Sequence, residues 1–158
     1  SAYDNPVEVN QVITEAVSLI HSLIAKNTTR FSFVPGDGDV HVLGNAQKLE
    51  QVIINLVQNA CEALQSSDAA LEVTVARITP WCVITVRDEG PGIPASDLPH
   101  LTDPFFTTKR ERGGTGLGLS VSAGIVEDHK GTLVFESKKG KGTVARITLP
   151  LADEKETA

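Results

Sequence analysis

The sequence predicts an α+β domain: a two-layer sandwich with about three helices packed on one face of a mixed, mostly antiparallel sheet of five to six strands. Three observations predict it. Stretches with apolar residues three and four apart are interleaved with stretches in which apolar and polar residues alternate. The helical stretches are apolar along one stripe only, so each has a single face to bury against another layer. The strand-like stretches come in close pairs joined by short turns, which favours hairpins over a doubly wound parallel sheet. A length of 158 residues suits one domain with a sizeable core.

The elements follow in order. Residues 9–26 repeat apolar side chains at Val9, Val12, Ile13, Ala16, Val17, Ile20, Leu23 and Ile24, which predicts one amphipathic helix entered just after Pro6. RFSFV (30–34) reads as a short strand and PGDGD (35–39) as a turn. A longer helix is predicted from Asn45 to Gln65, burying Leu49, Val52, Ile53, Leu56, Ala60, Ala63 and Leu64. LEVTVARI and WCVITVRD alternate as two strands about Thr79-Pro80. Residues 88–115 are rich in Gly, Pro and Thr without a sustained period, a length of irregular chain that is usually functional or mobile. A third helix is predicted from Leu117 to Asp128, then a hairpin of GTLVFES and GTVARITLP about KKGKG. Residues 1–151 read as one domain and 152–158 as a charged, frayed tail.

Composition narrows the function. The net charge of −6 does not advertise a nucleic-acid or anionic-membrane footprint. No apolar run reaches the roughly 20 residues of a membrane span, and no basic-then-apolar leader opens the chain. Cys61 and Cys82 lie inside apolar patterns with no CxxC partner, as expected of buried thiols in a reducing, cytoplasmic setting.

Four stretches carry candidate chemistry. On the second helix Asn55 and Asn59 are four apart and share a face, with Glu62 further along the same side, opposite much of the apolar stripe. An amide oxygen is a neutral ligand that completes a Mg²⁺ shell built otherwise from phosphates and water, yet the pair fits a plain solvent face equally well. In RDEGPGIP (87–94), Asp88 ends a buried strand, where a carboxylate accepts a hydrogen bond from an exocyclic amine and favours adenine over guanine. Gly90 and Gly92 would let a flat base lie close to the backbone, although a turn whose Asp bonds its own backbone is also common. DPFFTTKRERGG (103–114) offers Phe105 and Phe106 as loop anchors, with Lys109, Arg110 and Arg112 able to neutralise phosphate or simply to solvate a loop. GGTGLGLS (113–120) feeds a helix at once, so its amides make an anion cradle rather than a linker. It is neither a Walker A loop, since no Gly-Lys-Ser/Thr follows, nor a dinucleotide fingerprint, since no strand opens it.

Taken in order, QVIINLVQNACEAL, DEGPGIP, DPFFTTK and GGTGLGLS resemble the N (about 47–64), G1 (88–94), F (103–109) and G2 (113–120) boxes of the ATP-binding catalytic domain of bacterial sensor histidine kinases. That domain belongs to the wider GHKL family of type II topoisomerases, Hsp90 and mismatch-repair ATPases. The resemblance spans about residues 45–149, and PFFTTK is closest in wording to the nitrogen-regulatory and dicarboxylate-sensor branch. It implies a Bergerat fold, ATP and Mg²⁺ as cofactors, and roles for individual residues. Asn59 would coordinate Mg²⁺, with Asn55 supporting the metal or the phosphates. Asp88 would bind the adenine amino group, with Gly90, Gly92 and Ile93 beside the ring and Thr143 assisting through a water. Phe105 and Phe106 would anchor an ATP lid over residues 102–116. Thr107, Thr108, Lys109, Gly114, Thr115, Gly116, Leu117 and Gly118 would line the phosphates.

The same resemblance bears on the reaction. Hydrolytic relatives carry a water-activating Glu where this chain has Asn55, and an amide takes no proton at neutral pH. A kinase is therefore favoured over a GHKL-type ATPase, and a binding-only module is disfavoured because every ligand position that the resemblance implies is filled. No catalytic residue is assigned. None of His21, His41, His100 and His129 sits in a phosphoacceptor-like motif; each reads as a surface or packing residue, with His129 ending a helix where a cation is favoured. The implied partners are a His-containing dimerisation domain of the same parent chain and a downstream response regulator, with neither nucleic acid nor membrane touched by this segment. Many relatives carry glycine in place of Lys130, a departure beyond the phosphate loop.

Overall fold

A computed structural model describes residues 3–103 and 118–152. β1 (Asn5–Glu8) leads directly into α1 (Val9–Leu19), and Glu8 caps that helix by accepting from the amide of Asn10 at 2.8 Å. α2 (His21–Asn27), β2 (Arg30–Val34) and β3 (His41–Gly44) follow. α3 (Ala46–Ala63) is capped by Asn45, whose Oδ1 accepts from the amide of Lys48 at 3.0 Å. β4 (Ala70–Ile78), β5 (Trp81–Asp88), a 3₁₀ turn (Leu98–His100), α4 (Gly118–Asp128), β6 (Thr132–Ser137) and β7 (Thr143–Pro150) complete the described chain.

The main sheet runs β2-β4-β5-β7-β6. Its neighbours are antiparallel except β2 and β4, which are parallel because the intervening chain crosses over through α3. The fold is thus the α+β sandwich expected, a mixed sheet with its helices on one face. Leu71, Val73 and Val75 of β4, Cys82, Ile84 and Val86 of β5, and Ala145, Ile147 and Leu149 of β7 point to that face and are buried. They meet Leu49, Val52, Ile53, Leu56, Val57, Ala60 and Cys61 of α3 in one core.

Two features differ from the periodic pattern. The stretch expected as one helix over 9–26 is two, broken at Ile20 (φ −112°, ψ 20°). Ile24, beyond the break, still enters the core that Val12, Ile13 and Ala16 of α1 enter, while Leu19, outside the apolar stripe, faces water. Second, β1 and β3 form a small antiparallel sheet in which Val7 faces Val42. Leu151 bridges to Val42, and Ala152 donates to the carbonyl of His41 at 2.8 Å, which ties the end of the described chain to this sheet.

Of the surface and packing roles open to His129, it takes the packing one. It is buried; the amide of Asn45 donates to its Nε2 at 3.0 Å, and Nδ1 lies 2.8 Å from the carbonyl oxygen of Ile125. An Nε2 that accepts cannot carry a proton, so the ring clasps the end of α4 to the start of α3 in its neutral form. Gly44 has no side chain because a Cβ there would overlap that ring.

Candidate functional site

The alternation that buries Cys82, Ile84 and Val86 continues to Asp88, which is 7% exposed. β5 therefore ends by placing a carboxylate on the helix side of the sheet. Its Oδ1 accepts from the amide of Gly90 at 2.9 Å. Directly across the ladder stands Thr143 of β7, on the same face. The chain after Asp88 is drawn tightly inward: a Cβ on Gly90 would lie 2.8 Å from the carbonyl oxygen of Ala63, the last residue of α3. Gly92 has φ 79° and abuts the carbonyl of Lys138, so glycine is required there by both conformation and space. The amide of Ile93 donates to Ser137 Oγ at 2.7 Å, and that hydroxyl donates to the carbonyl of Gly142 and lies 2.9 Å from Thr143 Oγ1. Asp88, Gly90, Gly92, Ile93 and Thr143 are thereby gathered at one end of α3.

Asn55, two turns earlier on α3, lies at a second contact. Its Nδ2 donates to Ser122 Oγ of α4 at 2.9 Å, and Gly118 packs against the same amide. A cavity of about 300 Å³ opens here, lined in part by Asn55, Gln58, Gly118 and Ser122. Asn59 is half-buried between the two contacts, one turn from each, and Glu62 is exposed. Phe105, Phe106, Thr107, Thr108, Lys109, Arg110, Arg112, Gly114, Thr115, Gly116 and Leu117 lie outside the described residues, as does most of the expected lid.

The donor set fits a magnesium nucleotide. A buried carboxylate held by a backbone amide suits an exocyclic amine, and the half-buried carboxamides of Asn55 and Asn59 are neutral groups of the kind that would suit a cation whose charge phosphates balance. The two cysteines take no part. Both are free and buried; burial pushes the Cys61 thiol up to about 11, with Glu62 adding to it, and the Cys82 thiol up to about 12.

Sequence reasoning missed Ser137 and Ser122. Each is a polar residue at an inward position: Ser137 continues the face of Leu133 and Phe135, and Ser122 the stripe of Ile125 and Val126. A polar side chain interrupting an apolar stripe was the available signal.

Residues 44–153 match the family of histidine kinase-, DNA gyrase B-, and HSP90-like ATPases. The chain belongs to this family. The ATPase domain is 39% identical over 93% of its length to the C4-dicarboxylate transport sensor protein DctB of Rhizobium meliloti, of which it covers 23%. It is 32% identical over 93% of its length to sporulation kinase C of Bacillus subtilis, of which it covers 34%. Among solved structures, the nucleotide-free catalytic domain of histidine kinase ThkA superposes with a TM-score of 0.82 at 34% identity, covering 96% of this chain and 97% of that one. The domain is thus of the kind carried by two-component sensor histidine kinases, and it spans about a third or less of the curated relatives named here. Among its described residues no helix is long and apolar enough to cross a membrane.

Proposed function

We infer that this ATPase domain binds Mg-ATP and presents the γ-phosphoryl group to a histidine on a separate dimerisation domain of the same parent, for relay to a response regulator. The observation that supports this best is the position of α3. One end of it meets the Asp88, Gly90, Gly92 cluster and its middle meets α4 at Asn55, with Asn59 between. On this reading Asp88 accepts from the adenine amino group, the flat backbone at Gly92 lies beneath the ring, and Thr143 assists through a water. Asn59 gives the metal an amide oxygen, Asn55 supports it, and Lys109 with the amides of Gly114, Gly116, Leu117 and Gly118 holds the phosphates. ATP supplies the transferable phosphoryl group. The chain's own part is to bind, orient and avoid activating water, since Asn55 offers no base.

The acceptor lies elsewhere. Both ring nitrogens of His129 are engaged inside the fold. The relative ThkA has been solved in complex with the response regulator TrrA, which supports a regulator as the eventual partner here. Residues 1–151 act as one cytoplasmic domain on this reading.

The test is transfer in trans. Given ATP labelled at the γ-position and the parent's dimerisation domain, the chain is expected to label a histidine of that domain, and to label nothing alone. Steady phosphate release by the chain alone, lost in Glu62→Ala, would instead make it a hydrolytic ATPase.

A further inference from the structure

The turn between β6 and β7, KKGKG (138–142), holds three of the chain's 14 lysines and arginines, in a chain whose net charge is −6. The turn itself does not need them. Its two glycines, Gly140 (φ 83°) and Gly142 (φ 85°), take the left-handed conformations, and Lys138, Lys139 and Lys141 are all exposed, so none of the three side chains fills the core. Ammonium groups this close in sequence also repel one another.

The backbone that carries them is fixed to the segment after β5. The amide of Gly140 donates to the carbonyl of Pro91, Gly92 abuts the carbonyl of Lys138, and a Cβ on Gly142 would overlap the carbonyl of Asp88. Three contacts therefore hold the lysines at the rim of the Asp88, Gly90, Gly92 cluster. Carboxylates on the adjoining segments leave their charge uncancelled. Glu89 Oε1 lies 3.3 Å from Arg30 Nη1 and accepts from the amide of Ala70, while Glu136 is paired with Arg146. None of the three lysines forms an ion pair with another described residue.

A positive rim on an acidic molecule acts at a distance. Its field extends about 10 Å at 0.1 M salt and about 30 Å at 0.01 M, far enough to draw in a polyanion before any contact forms. Such a field raises the rate of association and leaves the rate of dissociation to the contacts inside the site. We propose that Lys138, Lys139 and Lys141 form an electrostatic rim that steers the polyphosphate of the incoming nucleotide toward the site. This rests on the reading given above that the Asp88 cluster holds the base of that nucleotide. Attachment of the turn to that cluster favours a nucleotide over an acidic protein as the anion attracted.

The test is stopped-flow fluorescence of the chain mixed with ATP carrying a methylanthraniloyl label on its ribose, in Mg²⁺ and at several salt concentrations. The variants are a chain with Lys138→Gln, Lys139→Gln and Lys141→Gln together, and one with Lys138→Arg, Lys139→Arg and Lys141→Arg together. In about 10 mM salt the glutamine chain is expected to associate about 10-fold more slowly than the parent chain, the low end of steering by a charged rim, with its dissociation rate unchanged. The difference should vanish in about 1 M salt, where the field reaches only about 3 Å, and the arginine chain should associate as fast as the parent. An unchanged association rate in the glutamine chain would overturn the proposal and leave the turn to a partner other than the nucleotide. A slowing that persists at high salt, or that the arginine chain shares, would overturn it in favour of a packing defect. A faster dissociation with unchanged association would replace steering by direct contact. If the folded parent chain binds no labelled ATP, the reading of the Asp88 cluster falls and this proposal with it.

Discussion

Lys130 has φ 63°, in the left-handed region that glycine enters without steric cost. It follows α4, where its amide donates to the carbonyl of Glu127 and the next amide donates to that of Val126, so the turn requires this conformation whatever the residue. A non-glycine side chain there carries a strain of about 1 kcal/mol. Lys130→Gly is therefore expected to raise the urea midpoint without changing the slope, by an amount of that order, and a lowered midpoint would remove the strain account. The buried thiols give a second expectation at this scale. Cys61 and Cys82 have folded values of about 11 and about 12 against an ordinary 9.0, so folding favours their protonated forms. Their stabilising contribution is complete below about pH 9 and is lost as pH rises through 11 to 12, because the unfolded chain releases those protons first. Stability measured against urea should fall from pH 8.5 to pH 10.5 (about one ordinary thiol titration), and fall less in a Cys61→Ala, Cys82→Ala chain.

Among the elements, the turn between β6 and β7 carries the loop after β5. Ser137 accepts from Ile93, Gly92 rests on Lys138, and a Cβ on Gly142 would overlap the carbonyl of Asp88. Ser137→Ala removes the hydroxyl that joins this loop to the sheet. Faster hydrogen exchange at the Ile93 amide is expected, with exchange in α3 unchanged; an unaltered rate would mean that the glycine contacts alone hold the loop. Much of this was legible in the sequence, and for physical reasons. α3 carries seven buried residues at helical spacing, and β4, β5 and β7 alternate cleanly because one face is buried. Asp88, Gly90 and Gly92 stand out because a carboxylate and glycines do not belong to a strand's apolar run. The break at Ile20 was not legible, since both of its flanks are amphipathic and the change is in direction alone. β1 and β3 were not legible because four residues each give too short an alternation, and their pairing is set by distant contacts such as Val7 against Val42. Ser122 and Ser137 act through a partner that sequence spacing does not reveal.

At the scale of the whole molecule, one core underlies both clusters of the site. Ile53, 2% exposed, sits in α3 directly behind Asn55 and Asn59, among residues of the same cluster as Ile84 and Ile147. Ile53→Ala is expected to cost about 2–5 kcal/mol of stability, read from urea unfolding, since the cavity lies where helix and sheet meet. A loss well below that range would mean that α3 closes the space by moving. The site is thus as rigid as the layer that supports it: α3 holds its amides because its opposite face is packed, and β5 holds Asp88 because the strand before it is buried. On the function proposed above, Asp88 and Asn59 serve one nucleotide, the first at the base and the second at the metal. Calorimetric titration with a non-hydrolysable ATP analogue, with and without Mg²⁺, tests it most directly in the parent chain, Asp88→Ala and Asn59→Ala. Binding by the parent chain, lost in Asp88→Ala with or without Mg²⁺ and reduced in Asn59→Ala only when Mg²⁺ is present, is the expected result. A folded parent chain that binds no nucleotide, or an Asp88→Ala chain that binds as tightly as the parent, would contradict it.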